Sequence, residues 1–72
     1  MKAYVVSMES GDDEERVDVH DDQGPRDAAE AYAARLGTID AFVAVVRIPG
    51  IDVTYWTRWR VEPVTTYRAR PA

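Results

Sequence analysis

Three sets of side chains in this 72-residue sequence are able to do chemistry. The first centres on the single histidine, His20, in the run Asp18-Val19-His20-Asp21-Asp22. Imidazole and carboxylate are both metal ligands, and alternation puts Asp18 and His20 on one face of a strand. A metal centre needs three or four converging ligands, and this run has neither the sixth-position glycine and twelfth-position glutamate of a calcium loop nor a second histidine for zinc. No metal or cofactor is implied. The second set is nucleophilic: Ser7 and Ser10 lie outside any nucleophile-elbow context, and cysteine is absent. A general base would have to be His20 or a carboxylate with no evident pocket. The expectation is a protein that is not an enzyme.

The third set is charged, and it divides into two surfaces. Asp12, Asp13, Glu14 and Glu15, followed by Asp18, Asp21 and Asp22, form an acidic segment. It reads either as a solvated hairpin tip that maintains solubility or as a carboxylate surface that imitates a nucleic-acid backbone toward a basic groove. Trp56, Arg58 and Arg60 form a second patch with Val43 and Val45, extended by Tyr67, Arg68 and Arg70. Tryptophan and arginine dominate protein-protein hot spots, so this patch reads as a partner-binding face. It also reads as an ordinary outer sheet face with arginine stems over Trp56, as the seam of a face-to-face homodimer, or as a stacking platform for bases.

The net charge of −4 conceals this division. Residues 1–40 carry four basic and eleven acidic side chains, a balance of −7, whereas residues 41–72 carry five basic and two acidic, a balance of +3. Nucleic-acid affinity rests on many Lys and Arg contacts to phosphate, so an acidic total disfavours nucleic acid as a direct ligand and suits a basic protein partner.

These groups must be positioned by a small number of elements. Lys2–Met8 alternates as a strand with Tyr4, Val6 and Met8 on one side, apolar enough on both sides to be interior. Glu9–Glu15 reads as an exposed loop, and Arg16–His20 as the second arm of a hairpin with Val17 and Val19 inward. Asp21–Gly24 is turn chemistry leading to Pro25, which suits the first helical position because its missing N–H would be unpaired there. The helix is expected over Pro25–Leu36, with Asp27 and Glu30 near its positive end, Arg35 near its negative end and Gly37 just past it. Its stripe of Ala28, Tyr32 and Leu36, with further alanines beside it, is shallow. Large core side chains must therefore come from the sheet: Phe42, Val46, Tyr55 and Trp59.

Strands over Ile39–Ile48 and Ile51–Val61 meet at Pro49-Gly50, which reads as a tight two-residue turn. That loop places Phe42, Ala44, Val46 and Ile48 opposite Thr57, Tyr55, Val53 and Ile51 on an inner face. On the outer face, Ala41, Val43, Val45 and Arg47 then oppose Arg58, Trp56, Thr54 and Asp52. Pro63 marks a break or an edge, Val64–Arg68 offers a short final strand, and residues 70–72 read as a frayed end. The fold class is α+β: an antiparallel sheet of four or five strands with one helix packed on one face, in the order β-β-α-β-β with an optional fifth strand.

Residues 1–72 make one domain, and a chain of this size buries only about 60% of its unfolded surface, so its stability is modest unless it associates. The lack of cysteine fits a reducing compartment. No apolar run approaches the ~18–20 residues of a membrane span, and the opening MKAYVVSMESGDD is too soon acidic for a signal peptide, so a cytoplasmic protein is expected.

The opening KAYVV, the acidic hairpin, the helix headed by Pro25-Arg26-Asp27-Ala28-Ala29-Glu30-Ala31 and the Pro-Gly hairpin with its Trp-Arg content resemble the small β-β-α-β-β anti-CRISPR proteins of phages and mobile elements. The resemblance spans most of the chain as a pattern. It implies a partner that is a Cas effector, often a type I surveillance complex, in a bacterial host cell. Target-DNA access would be blocked by steric occlusion or by an acidic DNA-like surface.

Overall fold

The computed structural model describes residues 1–72 except 12, 38–39, 51–55 and 64–66. In chain order the elements are β1 (Lys2–Met8), β2 (Glu14–Val19), α1 (Pro25–Leu36), β3 (Phe42–Arg47), β4 (Thr57–Pro63) and β5 (Tyr67–Pro71). The strands form a single antiparallel sheet of order β2-β1-β3-β4-β5, with α1 packed on one face. This is the expected α+β architecture, in its five-stranded form. None of the described helices is long and apolar enough to cross a membrane.

The helix has the expected limits because its ends are chemically marked. Pro25 occupies the first turn, the Gly24 amide donates to Asp27 Oδ2 at 2.9 Å, and Gly37 closes the helix at φ 65° with its amide on the Ala33 carbonyl. A positive φ costs glycine nothing, which is why it ends the helix here. The buried face is Ala28, Ala29, Tyr32 and Ala33, while Leu36 is 46% exposed. Leu36 therefore lies off the expected stripe: a helix turns 3.6 residues per turn, so a straight i, i+4, i+8 row drifts away from a flat sheet.

Small helix residues let the backbone approach the sheet closely, and the sheet supplies volume in return. Val6, Val17, Val46 and Val61 are fully buried, Tyr4, Val19 and Ala69 nearly so, and Phe42, Trp59 and Tyr67 pack at the margin. Tyr32 meets Phe42 edge-on at 6.2 Å, a geometry that suits aromatic quadrupoles.

Strand pairing departs from the expected two-residue hairpin. Phe42 faces Val61, Val43 faces Arg60, Ala44 faces Trp59, Val45 faces Arg58 and Val46 faces Thr57, a shift of four residues, and residues 48–56 connect the strands. The reason lies in volume: this register sets the largest side chain, Trp59, across from the fully buried Ala44, under the Arg26 guanidinium at 5.5 Å. Gly50 does adopt the positive φ expected of it, at 76°. A shift by an even number keeps side chains on their faces, so among the paired residues of β3 and β4 the inner and outer assignments survive although the pairings do not. Ile48 is exposed at the end of the strand, and the expected partners Ile51, Asp52, Val53, Thr54 and Tyr55 lie outside the described residues.

Other limits move too: β3 is Phe42–Arg47 where Ile39–Ile48 was expected, and β2 ends at Val19, one residue before His20. β2 begins at Glu14, not Arg16, because Glu14 and Glu15 pair with Ser7 and Val6 and find arginine partners across the sheet and on the helix. β5 runs from Tyr67 to Pro71, taking in residues expected to fray, and the earlier expected stretch 64–66 lies outside the described residues. Its pairing starts at Pro63 opposite Tyr67 and ends at Trp59 opposite Pro71.

The helix reaches both outer edges of the sheet with a side chain. The Ala69 amide of β5 donates to Glu30 Oε2 at 2.8 Å, and on β2 the Arg16 carbonyl accepts from Arg35 Nη1 at 3.2 Å. Pro71 has no amide to offer. An open strand edge is a template for pairing with other chains, and these contacts occupy one backbone group on each edge.

Candidate interaction surface

With the helix on one face, no described element packs on the outer face of the sheet. Alternation sends Val5 and Ser7 of β1, Glu14, Arg16 and Asp18 of β2, Val43, Val45 and Arg47 of β3, Arg58, Arg60 and Glu62 of β4, and Arg68 and Arg70 of β5 to this side. Its centre is apolar: Val5, Val43 and Val45 are half-buried. Trp56 is 45% exposed at the end of this strip, with the Arg47 guanidinium 5.8 Å from its ring centre. A guanidinium over an indole face at this distance is a cation–π contact.

The five residues of the Trp-Arg patch, Val43, Val45, Trp56, Arg58 and Arg60, do share this face. Their arrangement differs from the expected one, since Val43 lies beside Arg60 and Val45 beside Arg58, whereas Trp56 stacks with Arg47 beyond the strand end. Arg47 also pairs with Glu14 rather than with the expected Asp52.

The acidic segment is dispersed. Asp13 precedes β2 while Asp21 and Asp22 follow it, at opposite ends of a six-residue strand that spans roughly 17–20 Å. Glu14 points to the outer face and Glu15 to the helix side. Three of these carboxylates carry their own arginine: Glu14 on Arg47, Glu15 on Arg35 at 3.6 Å and Asp18 on Arg16 at 3.2 Å. Asp12 lies outside the described residues. His20 is exposed past the end of β2, where its amide donates to Gln23, so it does not join Asp18 on a strand face. Among the described residues no group of three or more potential ligands is placed to hold a metal.

Sequence reasoning missed the meeting of the two charged surfaces. Glu9 pairs with Arg58 and Glu14 with Arg47, so acidic residues of the N-terminal hairpin reach across the outer face to arginines of β3 and β4. A groove lies between them, lined by Ser7, Glu9, Glu14, Val45, Arg47 and Trp56. Glu62 holds both Arg60 and Arg70, and these two guanidiniums, Arg70 foremost, keep its carboxyl below the ordinary glutamate range. On the helix side, burial raises the Tyr32 phenol above its ordinary value, with the Glu15 charge adding to the effect. That Tyr32 borders a depression with Asp13, Glu15 and Leu36.

No family model matches this chain, and neither curated proteins nor solved structures yield a match.

Proposed function

We propose that this chain is a protein-binding inhibitor without catalytic activity, of the kind its sequence pattern resembles, which docks its outer sheet face on a nucleic-acid-binding complex such as a Cas effector in the bacterial cytoplasm. The observation that carries this reading is the outer face itself, a half-exposed Trp56 braced by Arg47 beside Val43, Val45, Arg58 and Arg60. Tryptophan and arginine around an apolar centre are what tight interfaces are built from. The spread of the carboxylates along β2, and their arginine partners, support occlusion of the DNA path rather than imitation of phosphates. The test is target-duplex binding by a purified type I surveillance complex with the protein added. Loss of inhibition in Trp56→Ala and in Arg58→Glu with Arg60→Glu, but not in Asp21→Lys with Asp22→Lys, is expected. Unchanged inhibition by the first two variants refutes the proposed face.

A second reading draws on one observation, that Arg58, Arg60, Arg68 and Arg70 lie together on β4 and β5. It makes the protein a nucleic-acid-binding accessory domain. A salt-dependent mobility shift with single-stranded DNA supports that reading, and its absence at low salt dismisses it.

A further inference from the structure

The outer face is positive although the chain as a whole carries −4. Among the described residues this face presents six arginines against four carboxylates, Glu9 at the end of β1 included. Three of those carboxylates each hold one arginine: Glu9 holds Arg58, Glu14 holds Arg47 and Asp18 holds Arg16. The surplus therefore collects at one corner, where Glu62 is the one described carboxylate among Arg60, Arg68 and Arg70.

The strand register builds this corner. Arg60 lies directly across from Arg70, and Glu62 across from Arg68. Like charges directly opposed on one sheet face destabilise a strand pair, and Glu62 relieves that by accepting from Arg60 Nε at 3.3 Å and Arg70 Nη2 at 2.5 Å. One carboxylate cannot neutralise two guanidiniums, and the exposed Arg68 has no ion pair among the described residues. A guanidinium carries five donors in a rigid plane; Glu62 engages one nitrogen of Arg60 and one of Arg70, and so orients the donors it does not use. We propose that Arg60, Arg68 and Arg70, held around Glu62, form a carboxylate-binding site for a protein partner whose surface is acidic beside an apolar side chain.

Val43 decides between the carboxylates of a protein and the phosphates of a nucleic acid. It shares a row with Arg60 and Arg70, is half-buried, and has Val45 one row further on. A sugar-phosphate backbone offers nothing apolar to that strip, whereas a protein surface sets aliphatic side chains beside carboxylates. Long-range repulsion from a chain of net −4 also opposes a polyanion more than it opposes a few carboxylates met at contact. The inference rests on the reading of the outer face as an interaction surface, and it adds the sign of what docks there. On a nucleic-acid-binding complex, the docking patch then lies beside the basic groove and not within it.

An NMR titration of the full chain with isotope-labelled arginine, read at the side-chain Nε–H signals, tests this. The probe is a capped peptide of alternating glutamate and valine, compared with the same peptide carrying glutamine for glutamate and with single-stranded DNA. Arg60, Arg68 and Arg70 are expected to shift saturably with the glutamate peptide, less at high salt, and not with the glutamine peptide. Arg60→Lys with Arg70→Lys keeps the charge but loses the planar donors, and should weaken binding about fivefold or more. Arg16→Ala, on the same face, should leave it unchanged. Circular dichroism checks that each variant folds. The proposal is overturned by the absence of a saturable shift, by an unaltered affinity in the double lysine variant, or by tighter binding of the DNA. If Trp56→Ala abolishes inhibition while the peptide fails to bind, the face stands as an interaction surface and only this site falls.

Discussion

Glu30 is the side chain whose removal should cost most for its size. It reaches from the middle of α1 to the edge strand and accepts the Ala69 amide at 2.8 Å, and Ala69 itself is only 7% exposed. A hydrogen bond to a charged acceptor contributes about 1.5–3 kcal/mol, and a buried amide left without an acceptor loses a comparable amount. Alanine is a slightly better helix former than glutamate, which offsets a few tenths of a kcal/mol. Glu30→Ala should therefore lower stability by about 1–2.5 kcal/mol. Glu30→Gln retains a carbonyl acceptor without the charge and should lose roughly half as much. For a domain of this size 1 kcal/mol corresponds to about 4–8 °C in Tm, so both changes are readily measured. Urea unfolding followed by circular dichroism gives the free energies, and hydrogen exchange at the Ala69 amide gives the local effect. The reasoning fails if Glu30→Ala lies within about 0.5 kcal/mol of the parent, or if the Ala69 amide exchanges no faster in it.

Two further outcomes follow from the core and from the outer face. Val46→Ala should destabilise by about 1.5–3 kcal/mol in the same urea assay, because the fully buried side chain leaves a cavity, whereas Val45→Ala on the open face should cost less than about 1 kcal/mol. The Glu62 carboxyl, held low chiefly by Arg70, contributes stability that is present above the ordinary glutamate value and lost as pH falls through its lowered folded value. A carbon-detected NMR titration should find it titrating below the ordinary glutamate value. It should move back further in Arg70→Ala than in Arg60→Ala, and by less at high salt.

Local chemistry made much of this fold legible in the sequence. Pro25 and Gly37 mark the helix to the residue, and alternation in Lys2–Met8 and around Val17 and Val19 assigns the N-terminal hairpin. The faces of β3 and β4 were legible as well, since a shift of four residues leaves them unchanged. The register was not. Pro49-Gly50 is a strong local signal for a turn, but the pairing is decided by where Trp59 finds a small neighbour, and that is a property of the assembled sheet. The five members of the Trp-Arg patch were found because they lie on neighbouring strands with one parity. The pairs Glu9 with Arg58, Glu14 with Arg47 and Glu30 with Ala69 were not, because each joins residues more than thirty positions apart.

The sheet order also says how the molecule is sewn together. β1 and β2 form one hairpin, β3 to β5 form one meander, and the two are joined within the sheet along a single line, β1 against β3, from Val5 opposite Arg47 to Met8 opposite Ala44. Closing that line brings together segments separated by some forty residues, the most entropically demanding step in the chain. α1 lies between the halves in sequence and bridges them in space, with Glu30 fastened to the meander and Arg35 to the hairpin. It acts as a suture, so a chain cut in the 38–41 segment leaves one piece carrying hairpin and helix and another carrying the meander. Each piece has a paired set of strands, and each lacks only the other to complete the core.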